Sequence, residues 1–352
     1  MIRHAGFKAF VVMAGLLALP GGPAGAQTPG GQLTVAASGG SFQDALNRHF
    51  YQRFEKQTGT KIVHVPVEGQ DQFNRARAMS RAGRIEWDLM SPEPQSFYRD
   101  QDLFEKLDCS RIPNAQKLGV PGTCGEFGIF RAIGGGVLAY NTKSFPKDPP
   151  QNWADFWNVQ KYPGPRCLPG ILPHYVVAAA LLADGVPADK LFPLDIDRAM
   201  KKLQQIKPHV AVWWNSGNQS MDTLRKGECV MSWMWSGRIL QLMAEGQPLN
   251  ITWNQSLPVL AYWSIVKGSP NKDAAYKFLD FWMTEPSAHV AFSKEIFYDT
   301  ANTEALKNLT PAEIPLRAIA APNLKAQVPF DWKWVADNAD PMRAAFQDML
   351  TR

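Results

Sequence analysis

From residue 33 onward, short apolar runs alternate with amphipathic stretches. Residues 33–37 read as a buried strand that breaks at Ser38-Gly39-Gly40, with Ser41 as the N-cap of a helix and Asp44 in its first turn. Phe42, Ala45, Leu46, His49, Phe50 and Phe54 then recur at helical spacing, and Gly59 ends the segment. Residues 61–67 are strand-like, 70–82 helical, and Trp87-Asp88-Leu89-Met90 a further strand. The succession β-α-β-α-β predicts a parallel sheet with right-handed crossovers.

A second α/β set follows. Residues 134–141 form an apolar strand leaving the first set, and 153–157 start a helix. Tyr162-Pro163-Gly164-Pro165 is a stiff turn before a strand at Cys167-Leu168. Helices are expected at 174–183 and 197–206, strands near Val210 and at 229–233, then a strand at 260–266 and a helix at 272–283. No repeat, low-complexity stretch or flexible linker separates the two sets, so the chain is expected to cross between them as strands.

The N-terminus changes the picture of where the protein works. Arg3, His4 and Lys8 precede an apolar run at 9–19 and the small residues Ala24-Gly25-Ala26, which predicts a signal peptide over 1–26 with cleavage before Gln27. The run is too short to span a bilayer, and the apolar stretch 175–183 stops at Asp184. Export, with a soluble mature chain, is the expectation. Four cysteines suit an oxidising compartment: Cys109 and Cys124 are close enough in sequence for a local bridge, while Cys167 and Cys229 either pair or stay as buried thiols. Neither C-x-x-C nor a Cys/His cluster occurs, so no metal site is expected.

Composition narrows the function. The 352 residues are 45% hydrophobic and 20% charged, an ordinary globular balance. Net charge is +5, or +3 without Arg3 and Lys8, with no run of like charges to mark a nucleic-acid footprint. Of 12 tryptophans, six fall between positions 213 and 263.

Ser38-Gly39-Gly40-Ser41, followed by Phe54-Glu55-Lys56-Gln57-Thr58-Gly59-Thr60-Lys61-Ile62, resembles the opening of the periplasmic solute-binding proteins of ABC importers. Within that family the polyamine and 4-aminobutyrate group is the nearest likeness. It is carried by Trp87-Asp88-Leu89, Asn152-Trp153-Ala154-Asp155-Phe156-Trp157, Tyr162-Pro163-Gly164, Lys226-Gly227-Glu228-Cys229, Trp235-Ser236-Gly237-Arg238 and Ala274-Ala275-Tyr276-Lys277-Phe278-Leu279. The resemblance implies a type II-like α/β fold of two lobes, each a mainly parallel sheet flanked by helices, with a ligand cleft between them. Lobe 1 would comprise 27–138 and 262–303, and lobe 2 139–261 and 304–352. Hinge closure would trap a small-molecule solute, and the closed form, a monomer without cofactor, would dock on a membrane permease.

Ligands in open parallel sheets sit beyond the carboxyl ends of strands. Four places meet that rule. Ser38, Gly39, Gly40 and Ser41 form a close-approach loop with helix-start N–H groups, or else a plain capped turn. Glu93 follows a strand and offers a carboxylate for an ammonium, or is a solvated acid. Trp213, Trp214, Trp233 and Trp235 supply aromatic faces, whereas Trp153, Trp157 and Trp282 are assigned to the core. Trp263, on the later strand, and Tyr298, where the family resemblance places a cleft tyrosine, complete the candidates.

Two departures bear on the ligand. Putrescine-type members of the family carry aspartates where Arg238 and Trp263 align here, so a dication would meet a cation instead of counter-charges. Arg238 suits a carboxylate or phosphonate, unless an internal acid pairs with it. A 4-aminobutyrate-like zwitterion or an aromatic carboxylate is the expected ligand, with a true polyamine binder as the alternative. A secreted hydrolase is disfavoured: G-x-S-x-G and H-E-x-x-H are absent, the six histidines are scattered, and Ser264-Ile265-Val266-Lys267 spells S-x-x-K only on a strand-like run. A ferric-ion binder would carry an adjacent tyrosine pair, which the chain lacks.

Overall fold

The computed structural model describes Met1, residues 31–67 and residues 69–352. The signal segment over 1–26 and its cleavage point at Gln27 lie outside the described residues, Met1 apart.

Eight strands form one sheet: β1 (Gln32–Ala37), β2 (Lys61–Pro66), β3 (Leu89–Met90), β4 (Ile129–Asn141), β5 (Arg166–Pro169), β6 (Val210–Trp214), β7 (Met231–Trp235) and β8 (Leu249–Ile265). Their spatial order is β2-β1-β3-β8-β4-β7-β5-β6. Each end of the sheet is parallel, as the β-α-β pattern predicts, since β1 pairs with β2 and β3, and β5 with β6 and β7. The middle differs. There β3–β8, β8–β4 and β4–β7 are antiparallel. The long strands β4 and β8 return past one another and join the two parallel ends, so both are longer than the runs at 134–141 and 260–266 suggest.

Helices cover both faces, which lets strands such as β1 bury nearly every residue. The first end carries the helical run Gly40–Leu46, Asn47–Tyr51 (a π turn) and Gln52–Thr58, closed by Gly59 at φ +72°. Phe50 packs on Trp282 of helix Lys272–Trp282 (centroids 4.1 Å), and Phe42 on Phe292 of helix Pro286–Ile296 (5.2 Å). Gly39, not Ser41, occupies the cap position, so the helix begins two residues earlier, at Gly40. At the other end, helix Pro173–Ala183 is apolar all round and buried from His174 to Leu182. Helix Ala339–Thr351 packs there too, with Phe346 against Trp213 (5.8 Å). Among the described residues no helix is long and apolar enough to cross a membrane.

Two motifs have structural explanations. Asp88 is fully buried and accepts hydrogen bonds from Thr34 N (2.7 Å), Ser269 Oγ (2.6 Å) and Asn271 N (3.2 Å), stapling β1 to the turn after β8. Arg166 is equally buried, without a counter-ion among the described residues; its guanidinium donates to the carbonyls of Phe156, Tyr162 and Gly164 and so fixes the Pro-Gly turn. Trp153 and Trp282 are core residues, while Trp157 is half-buried with its Nε1 donating to Lys202 O at 3.1 Å. Both cysteine pairs are bonded, Cys109–Cys124 and Cys167–Cys229, with Cα separations of 6.1 and 5.8 Å.

In the middle of β4, three glycines let rings lie flat on the strand. A Cβ at Gly136 would overlap the indole of Trp233, which is fully buried and cannot yield. Gly136→Ala is therefore expected to lower stability by about 1–3 kcal/mol, measured as a lower denaturation midpoint in urea with an unchanged slope.

Candidate ligand site

A cavity of about 380 Å³ lies beyond the carboxyl ends of the parallel strands, within the size range of small-molecule sites. Phe42 reaches it from the helix after β1, Glu93 from the turn after β3, Ile171 from the turn after β5, and Trp235 and Arg238 from the end of β7 and the helix that follows. The antiparallel strands cross it with Arg131 and Ala132 of β4 and with Val259, Leu260 and Ala261 of β8. Trp332, Met342 and Arg343 close it from the C-terminal helices.

Glu93 is held in place by its neighbours. Tyr262 N donates to Pro92 O at 3.0 Å, and the Tyr262 ring stacks on Phe97 at 4.2 Å, fixing the turn and the helix Pro94–Arg99 against β8. Glu93 begins that helix but its side chain does not cap it, and among the described residues its carboxylate has no protein donor. The side chain is accessible because it faces the cavity; protein surrounds it otherwise. That desolvation pushes its pKa up, and the charge of Arg131 pulls it partly back.

Arg131 owes its aim to a β-bulge. Phe130 pairs with Tyr262 and Ala132 with Ala261, so Arg131 is the extra residue on β4. Its guanidinium lies 4.3 Å from the Phe42 ring and 5.5 Å from that of Trp263. It has no ion-pair partner among the described residues, and its shielded Nε makes no hydrogen bond. Burial pushes its pKa down to about 10, with Tyr51 and Glu93 opposing, so it remains a cation.

Arg238 is half-buried in the first turn of helix Ser236–Ala244, 5.6 Å from the Trp235 ring and 3.5 Å from Asn218 Oδ1. It presses on Gly217, where any Cβ would overlap the guanidinium. No acid pairs with it among the described residues, whereas Arg343 has Asp340 at 3.0 Å. Tyr298 lies over Gly134 and Gly237, neither of which leaves room for a Cβ beneath the ring. Burial pushes its hydroxyl up to about 12, eased by Arg238 and reinforced by Glu93. Tyr175 donates to Pro258 O at 3.0 Å, and desolvation pushes His174 down to about 3, so that it is neutral. Glu93 is the sole acid lining the cavity among the described residues.

Residues 49–322 match the family described as "Bacterial extracellular solute-binding protein". The chain is 34% identical over 336 residues to the gamma-aminobutyric acid-binding protein of Pseudomonas aeruginosa, covering 94% of each. The chain belongs to the bacterial extracellular solute-binding proteins. Among solved structures, an ABC transporter substrate-binding protein from Bradyrhizobium japonicum superposes with a TM-score of 0.81 at 32% identity, over 91% of this chain and 99% of that one. Spermidine/putrescine-binding periplasmic protein 1 of Haemophilus influenzae is 25% identical over 274 residues, 74% of this chain and 73% of its own length.

In this solute-binding protein the structure brings together Glu93, Trp235, Arg238 and Tyr298 of the residues expected at the ligand. The others lie elsewhere. Ser38, Gly39, Gly40 and Ser41 turn away from the cavity, and only their neighbour Phe42 reaches it. Trp213 is half-buried against Phe346. Trp214, Trp233 and Trp263 are fully buried. In a sheet covered on both faces, alternate side chains meet helices on either side, so only Trp235, at the carboxyl end of its strand, reaches the cleft. The acid expected opposite a polyamine is likewise not aligned with a cavity position at Trp263; β8 presents Val259, Leu260 and Ala261 there. Ser264 is fully buried, which removes the S-x-x-K reading.

Arg131, Tyr175, His174 and Trp332 were not legible as site residues, although a lone cation beside the apolar run at 132–140 is a signal for Arg131. Beside Tyr298, buried Asp299 pairs its backbone with Ile133. Desolvation raises its carboxyl to about 6, with Arg317 and backbone donors opposing. The native state thus binds its proton more tightly than the unfolded chain, and stability falls as pH rises from about 4 to 6. The stability of Asp299→Asn relative to wild type is expected to grow across that window and level off above it, read from urea titrations at each pH.

Proposed function

We propose that the protein is the periplasmic solute-capturing component of an ABC importer and that its cavity takes a small carboxylate-bearing amine, with 4-aminobutyrate as the reference compound. The observation that carries this reading is an arginine, Arg238, left without an acid partner in a cavity whose lining offers one carboxylate, Glu93. An anionic end would bind bidentately at Arg238, backed by Trp235, and an ammonium would meet Glu93, with Tyr298 between as hydrogen-bond donor. The greater identity to a gamma-aminobutyric acid-binding protein than to a spermidine/putrescine-binding one supports the same choice.

A dication would find one carboxylate for two ammonium groups and unpaired guanidiniums beside it, a repulsion that a desolvated site does not screen. An aromatic carboxylate is the second reading, favoured by the apolar wall of Leu172, Trp332 and Met342 and by Ile171, 49% exposed at the cavity. Lobes at 27–138 with 262–303 and 139–261 with 304–352 would close about the β4–β8 crossing, and the closed monomer would deliver the solute to its permease without a cofactor.

In a thermal-shift panel, 4-aminobutyrate at a hundred times its Kd should stabilise the protein by about 2.7 kcal/mol, whereas putrescine and spermidine should not. Arg238→Ala is expected to abolish the shift without lowering the melting point of the unliganded protein. A shift with polyamines alone would restore the polyamine reading.

A further inference from the structure

Among the described residues, two cations without counter-ions line the cavity, and they rest on different rings. Arg131, on the central strand β4, lies against the first end of the sheet, over Phe42, which packs on Phe292. Arg238 belongs to the other end, over Trp235, which packs on Trp214 at 5.0 Å. The rings that support them are different and the elements that carry them are different. One guanidinium fork suffices for one carboxylate. A shielded guanidinium with an unpartnered Nε costs stability unless something arrives to pair with it, and no protein group does so among the described residues. Glu93, the one acid on the lining among the described residues, faces the same cavity as both cations.

We propose that the site is built for an amino dicarboxylic acid, with one acidic group on Arg238, the second on Arg131 and the amine against Glu93. The inference rests on the reading of the cavity as a site for carboxylate-bearing amines and names the solute class within it. Charge balance supports it. A zwitterion leaves one guanidinium unpaired, whereas a solute with two acids and one amine neutralises both arginines and the glutamate together.

The test is calorimetric titration of the purified protein at neutral pH and low salt with two series. One holds the monoacids 4-aminobutyrate and 5-aminovalerate; the other holds glutamate, 2-aminoadipate and 2-aminopimelate. At least one diacid is expected to bind about tenfold more tightly than the better monoacid. Arg131→Met should remove that preference, costing the diacid about tenfold more affinity than it costs the better monoacid. The unliganded variant should melt at or above the wild-type temperature, because an unpaired buried charge is gone; a structural role for Arg131 would instead lower it. Arg131→Gln reads the same preference if the methionine variant folds poorly. Monoacids binding as tightly as every diacid would overturn the inference, as would an equal loss of both series in Arg131→Met, which would put both arginines on one carboxylate. In those two cases the parent reading stands. If no compound of either series binds, the parent reading falls, and this inference with it.

Discussion

The antiparallel pairing of β4 with β8 is the constraint from which the site follows. These two strands run through the centre of the sheet and hold its parallel ends together, and every wall of the cavity is referred to them. Their ladder is not regular. One interruption throws Arg131 out of register and into the cavity, and another lets Trp253 fold back over Gly135. Between them, Gly134 and Gly136 give up side chains so that Tyr298 and Trp233 can lie against bare backbone. A ladder of ordinary residues would keep these rings away and close the space they define.

Charge in the cavity is arranged against the protein's own stability. Most ion pairs in the chain are exposed and contribute little. Among the described residues, three groups facing the cavity are instead left unmatched: Glu93 has no donor, and neither Arg131 nor Arg238 has an acid. Partial desolvation raises the cost of leaving Arg131 unmatched, and the neighbouring aromatic faces of Phe42, Trp263 and Trp235 are favourable to the two cations.

The tryptophans divide by position along their strands. Trp214, Trp233 and Trp235 touch in sequence, with centroids 5.0 to 6.0 Å apart, and form a ridge that begins in the core and ends at the cavity. The buried members set where the last one stands, and the last one carries Arg238. Trp332 comes from the far end of the chain, on a helix that packs against Pro94–Arg99 next to Glu93. The C-terminal segment thus forms part of the cavity wall and is not an appendage to the second end of the sheet.

Hydrophobic periodicity, Gly and Pro punctuation and the small-residue signals in this chain are local properties, and they determined the α/β class, most of the strands and helices, and the expectation that loops after parallel strands approach a ligand. Glu93, Trp235 and Arg238 were legible because they follow strands directly. The tertiary structure alone decided the antiparallel centre, because strand direction there depends on where two distant segments meet. It alone decided that Trp214, Trp233 and Trp263 are packing residues, since a sheet covered on both faces hides either alternation. It also decided the role of Arg131: a bulge is a mismatch between two strands more than a hundred residues apart, and no pattern within either strand records it.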